Sequence, residues 1–387
     1  MAKNITPEFH LPTEIYINYD IMENIADILS KYGSRLILIT TENDFELYQD
    51  AIESMGSKLK KADFSFIVYD QIPAVPNTED IDIAVTFTKK TQCDVIIGFG
   101  SVEAINSAKT IALLTNNYIF CDDLFQKPTN MNECVTFITM PAYPAFGFEI
   151  APMLYLNEIH GSTKKIYYNE SLYPKAAIVD PTLSLRIDED KSMQTSISAL
   201  ALSMESVISK HNNDIINTYA LKSIDLTFRN LPLTYRDSHN STTRIYLSTA
   251  SVMSGIAFST AYLSVTLAIS LALASLTELS VEKAMCIILP HIMEFNLTSS
   301  PGKYVQMSKV MGEDVKNITV IEAAIKSVEA IRKLESDVAI PQRLSTFNIE
   351  KTYFEEISKL AMTYPFYENA PRSIDEKEIE TILIAAY

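Results

Sequence analysis

The sequence predicts an α/β N-terminal domain with a doubly wound parallel sheet, followed by an all-α helical domain. Three observations carry that expectation. Short, near-continuous apolar runs alternate with segments of helical spacing as far as Asp180-Pro181, the way parallel strands covered on both faces read. Beyond that dipeptide helical spacing continues to the C-terminus. The stretch Asp94 to Leu114 joins an apolar run, Val95 to Ile97, through Gly98 and Gly100 to a helix opened by Ser101. Strand, tight turn, helix is how an α/β fold presents backbone N–H groups to a phosphate.

In order, Glu14 to Ile17 reads as a short strand and Asp20 to Leu29 as a helix. Arg35 to Thr40 is a buried strand, and a helix follows at about Phe45 to Met55. Ser65 to Tyr69 is the next strand; Pro73 and Pro76 break the chain before a helix at about Thr78 to Thr91. After the Asp94–Leu114 unit come strands at Val135 to Met140 and Lys175 to Val179. The expected domains are therefore residues 1–182 and 183–387. In the second, helical spacing covers about Asp190 to Ser209, Asn213 to Asn230, Thr242 to Glu278 and Val281 to Glu294, with further helices to Ala386. Ile245 to Thr277 lacks any charged residue and is long enough to span a bilayer, but it carries eleven Ser or Thr and no flanking polybasic cluster or aromatic belt. It reads as helices buried in the domain core, not a membrane span.

Composition narrows the function. Lys+Arg number 32 against 48 Asp+Glu, a net charge of −16, which argues against nucleic acid or an anionic membrane as partner. Cys93, Cys121, Cys134 and Cys286 are widely spaced, as in a reducing, cytoplasmic compartment, and fit neither a disulfide frame nor a zinc site. MAKNITPEFHLP lacks the pattern of a signal peptide. Nine glycines are about 2 % of the chain where ~7 % is usual, few for a dinucleotide-binding enzyme.

Several stretches resemble the iron-containing alcohol dehydrogenase family almost end to end. They are YPKAAIVDPTLSL from Tyr173, GIAFSTAYL from Gly255, IILPHIMEFN from Ile287 and NAPRSIDEKEIETILIAAY from Asn369. The resemblance implies that family's two-domain fold, a divalent metal, usually iron, an NAD(P) cofactor, and assembly as a homodimer or larger homo-oligomer. It also locates the family's site positions in this chain. The glycine-rich turn of the family, Gly-x-Gly-Gly-Gly-Ser-x-x-Asp-x-x-Lys, falls on Gly98, Gly100, Ser101, Val102, Glu103, Asn106 and Lys109, with only the frame retained. Its second motif, Pro-Thr-Thr-x-Gly-Thr-Gly-Ser-Glu, falls on Pro141 to Glu149, where Ala142, Tyr143 and Phe148 replace hydroxyl-bearing or small residues. Thr41 stands where many members have an Asp that contacts the cofactor. The family's metal ligands, an Asp and a His four apart on one helix and two His fourteen apart, fall on Ser198, Leu202, Leu267 and Val281. Positions four apart share a helix face, but none of these side chains is a carboxylate or an imidazole of the kind such cations need.

Those departures lead to a pseudoenzyme: a catalytically inactive homologue with a structural, assembly or regulatory role, expected to hold neither metal nor dinucleotide and possessing no catalytic residue. The alternatives are an NAD(P)-dependent alcohol dehydrogenase with atypical metal ligands, or a small-molecule binder using the interdomain cleft. An unknown protein partner fits the first reading. Of the five histidines, His10, His160, His211 and His239 lie far from the metal positions in sequence, and His291 reads as a core residue. Asp188 to Asp190 read as a solvated acidic turn, and Tyr143, Phe146 and Phe148 as core filling. Val102 and Glu103, with Ala142, Tyr143 and Phe148, are expected to leave neither room nor charge balance for a pyrophosphate. Two like charges about 4 Å apart at an effective dielectric near 20 repel by roughly 4 kcal/mol, about three decades in affinity.

Overall fold

The computed structural model describes residues 9–126, 128–159, 163–262 and 264–387. His160 and Leu263, and the first eight residues of the N-terminal stretch, lie outside them. The first domain runs β1 (Glu14–Ile17), α1 (Ile25–Leu29), β2 (Arg35–Thr41), α2 (Glu42–Lys61), β3 (Ser65–Ile72), α3 (Thr78–Thr91), β4 (Val95–Gly100) and α4 (Val102–Thr115). It continues through α5 (Cys121–Leu124), β5 (Thr136–Pro141), β6 (Met153–Asn157), β7 (Lys164–Tyr168) and β8 (Ala176–Val179). Six strands pair in the order β1-β8-β5-β4-β2-β3, all parallel. Leu36, Leu38, Val95 and Ile97 bury one face of the sheet against α2, and Ile37, Ile39 and Ile96 bury the other against α3 and α4. Continuous apolar runs are thereby explained, because neither face meets water.

The antiparallel hairpin β6–β7 pairs Met153 with Tyr168 and Asn157 with Lys164. The sequence does not announce it, because Met153–Leu156 is a short continuous apolar run and Lys164–Tyr168 opens on two lysines, so neither strand alternates. Helix α2 also runs longer than expected: its buried stripe, Tyr48, Ile52, Met55 and Leu59, continues one turn past Met55, and polar residues from Glu42 to Asp44 open it.

Eight helices follow: α6 (Glu189–Ile208), α7 (Asp214–Arg236), α8 (Ser241–Ala261), α9 (Val265–Leu276), α10 (Val281–Leu297), α11 (Pro301–Val310), α12 (Val320–Asp337) and α13 (Phe354–Ala361), with α14 (Glu376–Ala385) closing the chain. The uncharged segment is thus two helices meeting at 101°. Tyr262 ends α8 in the left-handed region at φ 44°, and the Ser264 side chain caps α9 by accepting from the Leu267 N–H. The remaining donors at this break go to one buried carboxylate. Glu205 on α6 accepts from the Ser264 hydroxyl at 2.6 Å, from the Val265 N–H at 2.9 Å and from the Thr266 N–H. Burial pushes its pKa up to about 7 against those hydrogen bonds. Among the described residues no single helix is long and apolar enough to cross a membrane.

Candidate functional site

A cleft of about 530 Å3 opens between the C-terminal end of the sheet and the helical domain. Its walls come from the start of α2, the turn after β4, the hairpin, the start of α6 and the segment from α9 into α10. Open α/β sheets offer ligands this position, beyond the carboxyl ends of their strands.

The phosphate-type turn is present and already occupied from within. Gly98 and Gly100 lie inside β4, and Gly100 turns the chain at φ +121°, where a side chain would be strained. Ser101 then caps α4, accepting from the Ala104 N–H. Its own N–H and hydroxyl, however, donate to the carboxylate of Asp44, at 2.9 and 2.6 Å, and the Thr41 hydroxyl donates to the same oxygen at 2.7 Å. A Cβ on Gly100 would sit 2.4 Å from that oxygen. An internal carboxylate thus holds the donors that the resemblance assigns to a pyrophosphate. Burial raises its pKa, and its hydrogen bonds with Ser101 and Thr41 oppose that shift. Asp44 went unnoticed in the sequence; its placement three residues after Thr41, directly behind a strand, was the available signal.

Val102 and Glu103 part company. Val102 is buried and packs into the core of the helical domain, away from the cleft, so it does not crowd a ligand. Glu103 lines the cleft; burial raises its pKa, Glu282 and Asp44 add to that, and Lys191 opposes it. Val102 therefore takes no space from a ligand in the cleft, whereas Tyr143 stands in its wall and the Asp44 carboxylate fills the turn, and the charge argument keeps its basis in Glu103 and Asp44. Asn106 is buried, with its amide donating to the Tyr155 carbonyl. Lys109 is buried too, and its ammonium donates to the carbonyls of Phe148, Ala151 and Met153 at 2.5, 2.6 and 2.9 Å. Burial pulls its pKa down to about 7, with Glu149 opposing. The lysine fastens the loop after β5 to α4 and points away from any ligand.

In that loop Ala142 is buried, and Phe146 and Phe148 pack edge to face at 5.2 Å inside the core. Tyr143 is buried as well, yet it forms part of the cleft wall. Glu149 accepts from the Gly147 N–H and the Ser251 hydroxyl, tying the loop to α8. Across the cleft Lys191 pairs with Glu282 at 2.8 Å. These two, 91 residues apart, carried no signal in the sequence.

The positions that the resemblance assigns to metal ligands are all buried. Leu202 and Leu267 are fully buried and Val281 nearly so, all three in the hydrophobic core of the helical domain, with Val281 also part of the cleft wall. Ser198 is buried on α6 and spends its hydroxyl on the Gln194 carbonyl at 2.9 Å. Among the described residues no group of three or more His, Cys, Asp or Glu could hold a metal ion. One committed hydroxyl and three aliphatic chains do not fit a divalent cation, which wants carboxylate, imidazole or thiolate donors. His291 is a buried residue of α10, as expected, and Asp188, Glu189 and Asp190 are exposed at the start of α6.

A parallel-sheet domain set against a helical domain across such a cleft has the architecture of a dinucleotide-type α/β enzyme. The chain belongs to the iron-containing alcohol dehydrogenase family: the family model described as "Iron-containing alcohol dehydrogenase" matches residues 12–181, and "Fe-containing alcohol dehydrogenase family, C-terminal" matches residues 192–387. It is 24 % identical to 1,3-propanediol dehydrogenase of Klebsiella pneumoniae, covering 98 % of each chain. With the NAD-dependent methanol dehydrogenase of Bacillus methanolicus it shares 20 % identity, over 97 % of this chain and 98 % of that one. The fold is similar to the crystal structure of a 1,3-propanediol oxidoreductase, with TM-score 0.92 and 24 % identity over 98 % of this chain and 99 % of that one. An alcohol dehydrogenase from Oenococcus oeni gives TM-score 0.93 and 22 % identity over the same shares.

Proposed function

We propose that this chain is a catalytically inactive member of its family, a pseudoenzyme whose interdomain cleft serves as a binding pocket in a regulatory or assembly role. The donor set at the metal positions carries this reading. Metal-assisted alcohol oxidation needs a cation to polarise the alcohol oxygen and a nicotinamide held in register. Ser198, Leu202, Leu267 and Val281 offer a cation one hydroxyl, already donating to a carbonyl, while Asp44 takes the N–H of the phosphate turn.

A second reading, an NAD(P)-dependent alcohol dehydrogenase working with other groups, draws its support from the relatives, whose names specify 1,3-propanediol and methanol oxidation. The two separate in one preparation. Protein purified without a metal-binding tag is analysed for iron, zinc and manganese, titrated calorimetrically with NADH and NADPH, and assayed with 1,3-propanediol and methanol. The pseudoenzyme reading expects substoichiometric metal, no saturable dinucleotide binding below millimolar concentration, and no turnover. Stoichiometric metal with micromolar dinucleotide binding and turnover overturns it in favour of the dehydrogenase.

A further inference from the structure

We propose that the surface groove between α3 and α5 docks a basic segment of a partner protein, a bulky apolar side chain flanked by lysine or arginine. The groove shares no lining residue with the interdomain cleft, so the inference goes beyond the reading of the cleft and does not depend on it.

The groove has a volume of about 560 Å3 and is walled by one face of α3, the chain entering α5 and the tip of the β6–β7 hairpin. Ile83, Phe120 and Ile159 form its apolar part. Phe120 is 72 % exposed and Ile83 56 %, and Phe87, one turn beyond Ile83 on α3, is exposed as well. Tyr118, two residues before Phe120, is 96 % exposed. Ile119, between them, packs against the core of the first domain. One side chain thus anchors the segment, and the aromatic rings on either side of it face solvent. Exposed apolar residues scattered singly are ordinary, whereas several sharing one groove mark a surface that a partner covers.

Charge selects the partner. Glu79 and Asp82 on α3 and Asp122 and Asp123 on α5 line the same groove. Burial raises the Asp82 pKa, the Cys121 N–H opposes the shift, and the fields of Asp122 and Asp123 add to it. Asp82 accepts from that N–H at 3.0 Å, and among the described residues none of the four carboxylates forms an ion pair. The field of Lys89 also reaches Asp82, but its ammonium donates to the Asn117 carbonyl at 3.1 Å and stands over the Tyr118 ring. Lys90 lies about two turns along α3 from Ile83. A bare divalent cation is not the occupant, because among the described residues no three carboxylates converge closely enough to hold one. A second copy of the chain would bring its own net charge of −16 to a surface already negative. A basic segment answers both features: its apolar side chain covers Phe120 and Ile83, and its cations meet the acidic rim, where complementary charge steers encounter and excludes wrong partners.

The test selects binders to the full chain from random hexapeptides displayed on phage and measures synthetic copies of the enriched sequences by fluorescence anisotropy. The enriched peptides are expected to carry a bulky apolar residue beside two or more lysines or arginines, and to bind more weakly as salt is raised. Phe120→Ser is expected to weaken them ~10-fold or more, and Asp122→Asn combined with Asp123→Asn several-fold. Glu103→Gln, in the cleft, is expected to leave their affinity unchanged. The Asp122 and Asp123 side chains make no hydrogen bond within the described fold, and circular dichroism checks that every variant folds. The proposal is overturned if no peptide is enriched, if the enriched peptides lack basic residues, or if their affinity is the same in both groove variants. It is equally overturned if sedimentation velocity shows self-association that Phe120→Ser abolishes, since the groove would then be covered by a second copy.

Discussion

Leu202→His tests whether a position that the resemblance assigns to a metal ligand is structural core in this chain. Leu202 sits fully buried on α6, in the same cluster as Leu267 and Val281. Burying a leucine side chain contributes roughly 1.5–3 kcal/mol. An imidazole keeps part of that volume but brings two polar nitrogens, and an unpaired buried nitrogen costs about 1–3 kcal/mol. Help from the same helix is lacking, because the hydroxyls one turn away on either side are committed: Ser198 to the Gln194 carbonyl and Ser206 to the Leu202 carbonyl. The sum is a loss of about 3–5 kcal/mol, a large share of the ~5–15 kcal/mol that typically holds a domain folded. The assay is urea denaturation followed by circular dichroism, in chelator and in zinc. Leu202→His is expected to lower the midpoint strongly. Restoring the whole set, Ser198→Asp, Leu202→His, Leu267→His and Val281→His, is expected to leave the metal-free protein unfolded or nearly so. Zinc recovers part of that loss, but activity does not return, because Asp44 and Glu103 still face the phosphate turn. A loss below about 1 kcal/mol for Leu202→His refutes the reasoning and means the position is solvated and open.

Two further outcomes follow from the buried polar groups and the close backbone contacts. His291 is buried, and its pKa is pulled down to about 4 by burial, with Arg332 and Arg343 adding and Glu294 opposing. The unfolded imidazole takes up a proton near pH 6.5 while the folded one stays neutral, so the group's contribution is intact above pH 6.5 and is lost as pH falls toward 4. The loss is about 3 kcal/mol, and His291→Gln is expected to flatten that limb of a stability-against-pH curve; an unchanged limb would show the histidine charging freely in the fold. Gly147 stands at φ +96°, and a Cβ there would meet the Gly255 backbone at 2.5 Å. Gly147→Ala is therefore expected to cost at least ~2 kcal/mol in thermal or urea unfolding, and a neutral result would mean that the loop and α8 can separate without loss.

The alternation of Arg35–Thr40, Ser65–Tyr69 and Val95–Ile97 with helical segments was enough to specify a parallel sheet covered on both sides, because a strand buried on two faces has no polar residue to interrupt it. Residue type at the positions that the resemblance assigns to a metal was also a matter of sequence, since no packing turns Leu202, Leu267 or Val281 into a ligand. The break at Tyr262 was blurred in an uncharged, evenly apolar segment, where periodicity has nothing polar to contrast with. Direction and distance belonged to the tertiary structure alone. Val102 and Glu103 are neighbours in sequence, yet the turn of α4 sends one into the core and the other to the cleft. Asp44 meets Ser101 from 57 residues away, and Lys191 meets Glu282 from 91. Neither pair leaves a local pattern, because each partner is placed by the packing of a different element, and only the folded chain brings their polar groups within hydrogen-bonding reach.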